Sequence, residues 1–371
     1  IPQLDARVAS SDLRGSIRVA FADIPQIRLQ LDSELLSLEK LMASADEETE
    51  TDKPPPSDGR VIPQLALPVD QLGKVNLETR IRIAEVRGSR NSLKDIEIDS
   101  ILRDGKLTVN RLQATATEGR IVARFEARAQ DNRILTRGRL EAKDIVLGKK
   151  PGGDGATGLP KLDLQLEFDS AGATLRELAA NLDGHARLIG GTGRLPNSRF
   201  LNLFGSFYEE LISSINPFIK REPYTAITCF AAYADIENGL AKINPGAVLQ
   251  TDKLNMFAGG QIDLNSERIN LRFDTSPRSG IGISVADFIN PFVGVSGTLA
   301  RPQLGVDPEN AMFEGGFAVA TGGLSIVAKS LFNRWFGAAD PCARLEQQAQ
   351  DLLQQKQEQR DTDTPPPGNR N

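Results

Sequence analysis

The stretch GGQIDLNSERINLRFD, residues 259–274, decides how this chain is read. Ile262 and Leu264 alternate with Gln261 and Asp263, and after a polar turn at 265–268 the alternation resumes through Ile269, Leu271 and Phe273. A period of two is the signature of paired strands with one apolar face and one polar face. The pattern recurs along the chain. VNLETRIRI places Val75, Leu77, Thr79, Ile81 and Ile83 on one side, with Asn76, Glu78, Arg80 and Arg82 on the other. KLDLQLEFD puts Leu162, Leu164, Leu166 and Phe168 on one face. Asp104-Gly105 supplies hairpin-turn chemistry between two further strands, so the sheet reads as a meander. The fold class expected is mainly β with a few amphipathic helices. Its form is an elongated, curved antiparallel sheet, a β-groove or an open sandwich, with C-terminal helices.

The composition removes several functions. Charged residues are 25% of the 371 and nearly balance at a formal net charge of -5, which leaves no electrostatic footprint for nucleic acid. Aromatics are 5%, and 16 Phe stand against 3 Tyr and 1 Trp, so stacking platforms for single strands are scarce. The longest nearly apolar run, GGFAVATGGLSIVA at 315–328, is shorter than the ~20 residues that span a bilayer and reads as a packed helix or hairpin. The chain begins at Ile1, already inside polar-apolar alternation, and reads as the downstream part of a longer protein. Two cysteines, Cys229 and Cys342, fit one bridge in an oxidising compartment or two buried thiols.

Composition shifts divide the chain. Residues 1–147 form a β-repeat region, in which GSIRVAF from Gly15 echoes GRIVARF from Gly119. This region is interrupted at 44–59 by an acidic, proline-rich stretch with the composition of a disordered loop. A Gly/Pro-rich linker at 148–160 precedes a β/helix domain at 161–311, a C-terminal helical region at 312–360 and a disordered tail at 361–371. Helices are signalled at four places. Ser33 caps a short helix over 33–43 with Leu35, Leu38, Leu41 and Met42 on one face. A Thr174 to Glu177 capping box opens a second, with Gly184 at its end. The third and most amphipathic carries Phe200, Phe204, Phe207 and Leu211, and stops before Pro217. Asp340 followed by Pro341 opens the last, PCARLEQQAQDLLQQKQEQ.

A search for catalytic chemistry finds no anchor. The chain has one histidine, His185, so any triad or His-bearing metal site rests on it alone. It reads as a local surface residue. GGTGRL at 190–195 lacks the Lys-Ser/Thr of a phosphate loop and the dinucleotide fingerprint, and reads as a tight turn. The acidic residues lack calcium-loop spacing, and the strand carboxylates alternate with apolar residues beside Arg and Lys, as on a solvated face. No enzyme, no cofactor and no metal are expected.

From about residue 190 to 311 the chain resembles the C-terminal part of the AsmA family of Gram-negative envelope proteins. The resemblance is carried, in order, by GGTGRL, the helix ending in INPF, PYTAITCFAAYADIENGLA with Cys229, LQTDKLNMFAGGQIDLNSERINLRFDTSP and VSGTLARPQLGVDP. PCA at 341–343 is similar to the family's late cysteine motif, and 11–147 resembles its looser β-repeats. The resemblance implies a body in the periplasm, anchored to the inner membrane by an upstream helix and assisting outer-membrane assembly and lipid homeostasis. The partners implied are phospholipid, the inner and outer membranes and envelope proteins. It implies no enzymatic site, and it implies that Cys229 and Cys342 pair. In larger relatives a curved sheet forms a long trough lined with apolar side chains. By that likeness Leu162, Leu164, Leu166, Phe168, Ile262, Leu264, Ile269, Leu271 and Phe273 line a path for acyl chains. Alternation alone also fits faces that close on each other as a sandwich core. The chain is then a non-enzymatic scaffold or assembly factor, with Phe200, Phe204, Phe207 and Leu211 as the partner contact.

Overall fold

The alternating stretches form strands, and the strands join in a single sheet. The computed structural model describes residues 3–8, 11–37, 58–87, 92–116, 118–146, 158–196, 224–278, 293–305 and 340–363. The first half contributes β1 (Leu4–Val8), β2 (Ser11–Ala20), β3 (Gln26–Ser37), β4 (Asn76–Arg87), β5 (Ser92–Arg103), β6 (Lys106–Ala116), β7 (Gly119–Gln130) and β8 (Arg133–Val146). The rest of the chain contributes β9 (Lys161–Gly172), β10 (Asp183–Gly190), β11 (Gly193–Pro196), β12 (Tyr224–Glu237), β13 (Leu240–Thr251), β14 (Leu254–Asp263), β15 (Arg268–Pro277), β16 (Val293–Thr298) and β17 (Arg301–Gly305). The 17-stranded sheet is long, open and curled, and it is not a closed barrel. Each strand pairs with its predecessor in the chain, except that β10 and β11 lie end to end along β12. The strands therefore occupy 16 positions, and at ~4.8 Å per strand the sheet runs for about 70 Å across its strands. β8 and β9, on either side of the 148–160 linker, pair directly in this sheet.

Most turns gather at one rim. Asp104 and Gly105, Asp131 and Asn132, and Asn238 and Gly239 close two-residue hairpins with φ between 49° and 76° at both positions, the mirror-image turn that suits strand twist. Successive turns are then stitched together. The Gly239 N–H donates to the Leu182 carbonyl, that of Leu264 to Gly239 and that of Leu299 to Glu267, each at 2.8 Å.

Several expectations are corrected. The sheet is not a pure meander, because β3 and β4 pair in parallel and the chain must return to the turn rim between them. Residues 33–37 are strand rather than helix. Asp12 accepts the Glu34 N–H at 3.1 Å and the Leu35 N–H at 2.9 Å, while the Ser11 hydroxyl accepts the Ser37 N–H at 2.9 Å. Those tertiary partners outweigh the helical spacing of the leucines; residues 38–43 lie outside the described residues. GGTGRL is not a reversing turn, since Gly190 pairs with Phe230 and Gly193 with Ile227, and the chain continues in the same direction along β12. Gly184 does not end a helix but belongs to β10, with φ 153°. A Cβ there would meet the Glu167 carbonyl oxygen at 2.0 Å. Leu264 lies beyond the end of β14, in the turn.

Two α-helices and a 3-10 turn at Val69–Gln71 complete the described chain. The short helix Leu175–Ala180 is capped by Thr174, whose hydroxyl accepts the Glu177 N–H at 3.1 Å, while the Glu177 carboxylate accepts the Ala173 N–H at 2.8 Å. The helix Pro341–Asp363 begins where Asp340 accepts the Ala343 N–H at 2.9 Å, and it runs three residues into the stretch expected to be tail.

Candidate functional site

The two sets of candidate groove residues lie far apart in sequence, yet strand register places them on one face. Directly opposed residues in neighbouring strands share a face, so a row can be followed across the sheet. Leu166 of β9 faces Ala186, which faces Ala234, then Ile243, Gly260, Leu271, Val295 and Leu304. In the other direction Leu166 faces Leu140, then Ala123, Leu112, Ile98, Ile81, Leu31, Gly15 and Leu4. The row crosses every strand position without meeting a polar side chain. Flanking rows on the same face carry Leu164 with Leu188 and Ala142, and Ile262 with Ile269 and Ala241.

On this face Ile96, Leu102, Val109, Ala127, Ile134 and Ala142 are buried with no other described element over them, so it is the inside of the curled sheet. Leu162, Leu164, Leu166, Phe168, Ile262, Leu264, Ile269, Leu271 and Phe273 are all half-buried. No second sheet faces them among the described residues, because every described strand named above belongs to the one sheet. The short helix touches this face at the turn rim only. There the Ser170 hydroxyl donates to the Leu178 carbonyl at 2.6 Å, and Gly172 leaves the room that a Cβ would take from the Leu178 nitrogen, at 2.6 Å.

One residue along each strand, the opposite face is charged. Arg124, Arg139, Glu167, His185, Asp235, Lys242, Gln261 and Asn270 form the adjacent row. Ion pairs cross it between strands, such as Lys106 with Glu126 at 2.9 Å and Arg111 with Glu97 at 3.1 Å. Exposed pairs of this kind stabilise little, but they keep the outer face in water. His185 is part of this ladder, with its Nε2 at 3.6 Å from Glu167.

The outer face is apolar in one place, and the C-terminal helix covers it. Ile189, Ala231, Val248 and Phe257 oppose one another across β10, β12, β13 and β14. Cys342, Leu345 and Ala349 of the helix pack on them, with Leu345 fully buried. The Cys229–Cys342 disulfide fastens the helix start to β12, with Cα atoms 6.4 Å apart. Asp340 lies beside the two sulfurs; it caps the helix, and the sulfurs are bonded to each other. Arg187 donates to the Tyr233 hydroxyl at 3.2 Å and to Glu346. Burial pushes the Tyr233 phenol above its ordinary 10.0, against the pull of Arg187. A cleft of about 170 Å³ beside the helix is lined by His185, Arg187 and Leu352 among others, and its charged groups largely answer one another.

Sequence reasoning missed this outer apolar patch, although ITCFAAYADI at 227–236 signals it by abandoning alternation, as strands covered on both faces do. Phe200, Phe204, Phe207 and Leu211 lie outside the described residues. The fold and the face together define an open, curled β-sheet protein with one apolar concave face. No family model, no curated protein and no solved structure matches the chain.

Proposed function

We propose that the inner face shields phospholipid acyl chains, so that the chain assists outer-membrane assembly and lipid homeostasis from the periplasm. The observation that supports this reading is the unbroken apolar row from Leu4 to Leu304, on a face with no opposing sheet among the described residues. An acyl chain of about 16 carbons costs on the order of 12 kcal/mol to expose to water, at ~0.8 kcal/mol per CH₂. A concave apolar surface about 70 Å long removes most of that cost at each point along it, while headgroups stay at the open side in water.

The test is a photo-crosslinking side chain placed at Ile269 or Leu271 in living cells. Phospholipid is expected on the probe there and not at Asn270 or Arg272, because one residue along a strand turns the side chain to the opposite face. Crosslinks within the chain at 269 and 271, with lipid at neither, would mean that the face is closed by protein, and the proposal would be withdrawn in favour of a scaffold.

A further inference from the structure

Val61 and Leu65 are exposed although the backbone that carries them is pinned. They belong to a strap, residues 58–75, that lies along the turn rim. Glu267 holds the Val61 and Ile62 N–H groups at 2.7 and 2.9 Å. Arg176 holds the Asp58 carboxylate at 2.7 Å and the Ile62 carbonyl at 3.0 Å. The Leu67 N–H donates to the Ala173 carbonyl and the Leu65 carbonyl accepts the Leu175 N–H, each at 2.9 Å. With the backbone fixed on both sides, Val61 and Leu65 remain 57% and 58% exposed. At the same rim, the turn between β2 and β3 presents Phe21 at 92% and Ile24 at 37%, and Val19 near the end of β2 is 44% exposed. An ordered apolar surface facing water marks a contact site.

We infer that this rim docks on the surface of a phospholipid bilayer. The inference rests on the inner face being an acyl-chain path, and it adds where that path meets the membrane. Three features select lipid as the occupant. The strap's charges, Asp58, Arg60, Asp70 and Lys74, are two of each sign, so it offers no net field for an ionic partner. From residue 61 to 75 it holds no Trp, Tyr or Arg, the residues that anchor most protein interfaces. The surface is also continuous with the inner face: Val19 belongs to that face through its pairing with Ile27, and the helix to which the strap is bonded rests on it. Val61 and Leu65 on the strap and Phe21 and Ile24 on the β2–β3 turn are thus apolar points among the polar turns of the rim, where bilayer and trough would meet, and Glu267 and Arg176 fix the strap that carries the first two.

The test is flotation of the full chain with phosphatidylcholine vesicles, with and without phosphatidylglycerol, at low and high salt. Binding to neutral vesicles that survives high salt is expected, and a combined Phe21→Ser, Val61→Ser, Leu65→Ser variant should bind about tenfold or more weakly. These side chains are exposed, so thermal unfolding should be unchanged. As a check independent of that variant, Leu65→Cys carrying an environment-sensitive dye should shift to the blue when neutral vesicles are added. No flotation of the native chain would leave the rim to a protein partner and overturn the inference. Undiminished binding by the triple variant, or binding only to anionic vesicles and lost in salt, would overturn it equally. Lipid carried by the gently purified chain reports on the inner face separately. A chain that carries lipid and does not float loses the docking inference alone, and one that floats but carries none loses the acyl-chain path.

Discussion

Glu267 has its backbone at φ 57°, a conformation few side chains other than Asn and Asp adopt readily, and it is only 1% exposed. Its carboxylate is the acceptor for two backbone N–H groups of the strap, which explains both the burial and the strained position. Glu267→Gln keeps the shape but turns an NH₂ toward one of those donors. A cost of about 1–3 kcal/mol is expected, read from urea unfolding, with faster hydrogen exchange at Val61 and Ile62. Asp58, at the other anchor, is held below its ordinary 3.8 by the hydrogen bond from Arg176. A carboxyl with a depressed folded value stabilises above the unfolded value and loses that contribution as pH falls through the folded one. The Arg176 contact is therefore complete above pH 3.8 and released below it, and hydrogen exchange of the strap should rise in that acid range. Asp12 is depressed by the N–H groups of Leu35 and Glu34, so the edge of β3 should loosen in the same range. His185 sits on the solvated outer face, and His185→Ala should change stability by less than about 0.5 kcal/mol and leave lipid crosslinking at Leu271 unchanged.

The C-terminal helix shows why an element needs more than its own propensity. PCARLEQQAQDLLQQKQEQ is polar on most of its surface, and in proteins most helical stability comes from packing an apolar face rather than from propensity. Burial of Cys342, Leu345 and Ala349 and the bridge to Cys229 supply what the helix lacks. Leu345→Ala should cost about 2–5 kcal/mol, as buried leucine truncations do. The disulfide joins residues 113 apart, so its loss in Cys342→Ser should cost about 4 to 5 kcal/mol by the chain-entropy model. Unfolding with and without reductant measures that difference. Protein exported to the periplasm and unfolded without reductant should titrate no free thiol.

At the scale of the whole molecule, the proposed function rests on the difference between two faces of one sheet. The inner face carries an unbroken apolar row from β1 to β17, while the adjacent outer row, from Arg124 to Asn270, is charged or polar. Leu166→Asn places an amide in the middle of the inner row at a half-buried site. If acyl chains pass there, the desolvated amide costs about 1–3 kcal/mol. Lipid crosslinking from a probe at Leu271 should then fall about tenfold with the fold retained. Arg139→Asn, one row away on the outer face, should leave it unchanged.

Alternation in the sequence was enough to assign strands to VNLETRIRI, KLDLQLEFD and GGQIDLNSERINLRFD, and to say which side of each is apolar, because side-chain direction in a strand depends only on residue parity. The Asp104-Gly105 turn, the Thr174 cap and the Asp340 cap were legible for the same reason: each is settled within four residues. What local chemistry cannot contain was decided by the tertiary structure. Residues 33–37 have helical leucine spacing but are strand, because donors on β3 find Asp12 and Ser11 more than twenty residues away. β3 and β4 pair in parallel because the strap just before β4 brings the chain back to the rim where β3 begins. Above all, parity fixes the apolar side of each strand separately. Only register, passed by hydrogen bonds from neighbour to neighbour, aligns Leu4 through Leu304 into one continuous face.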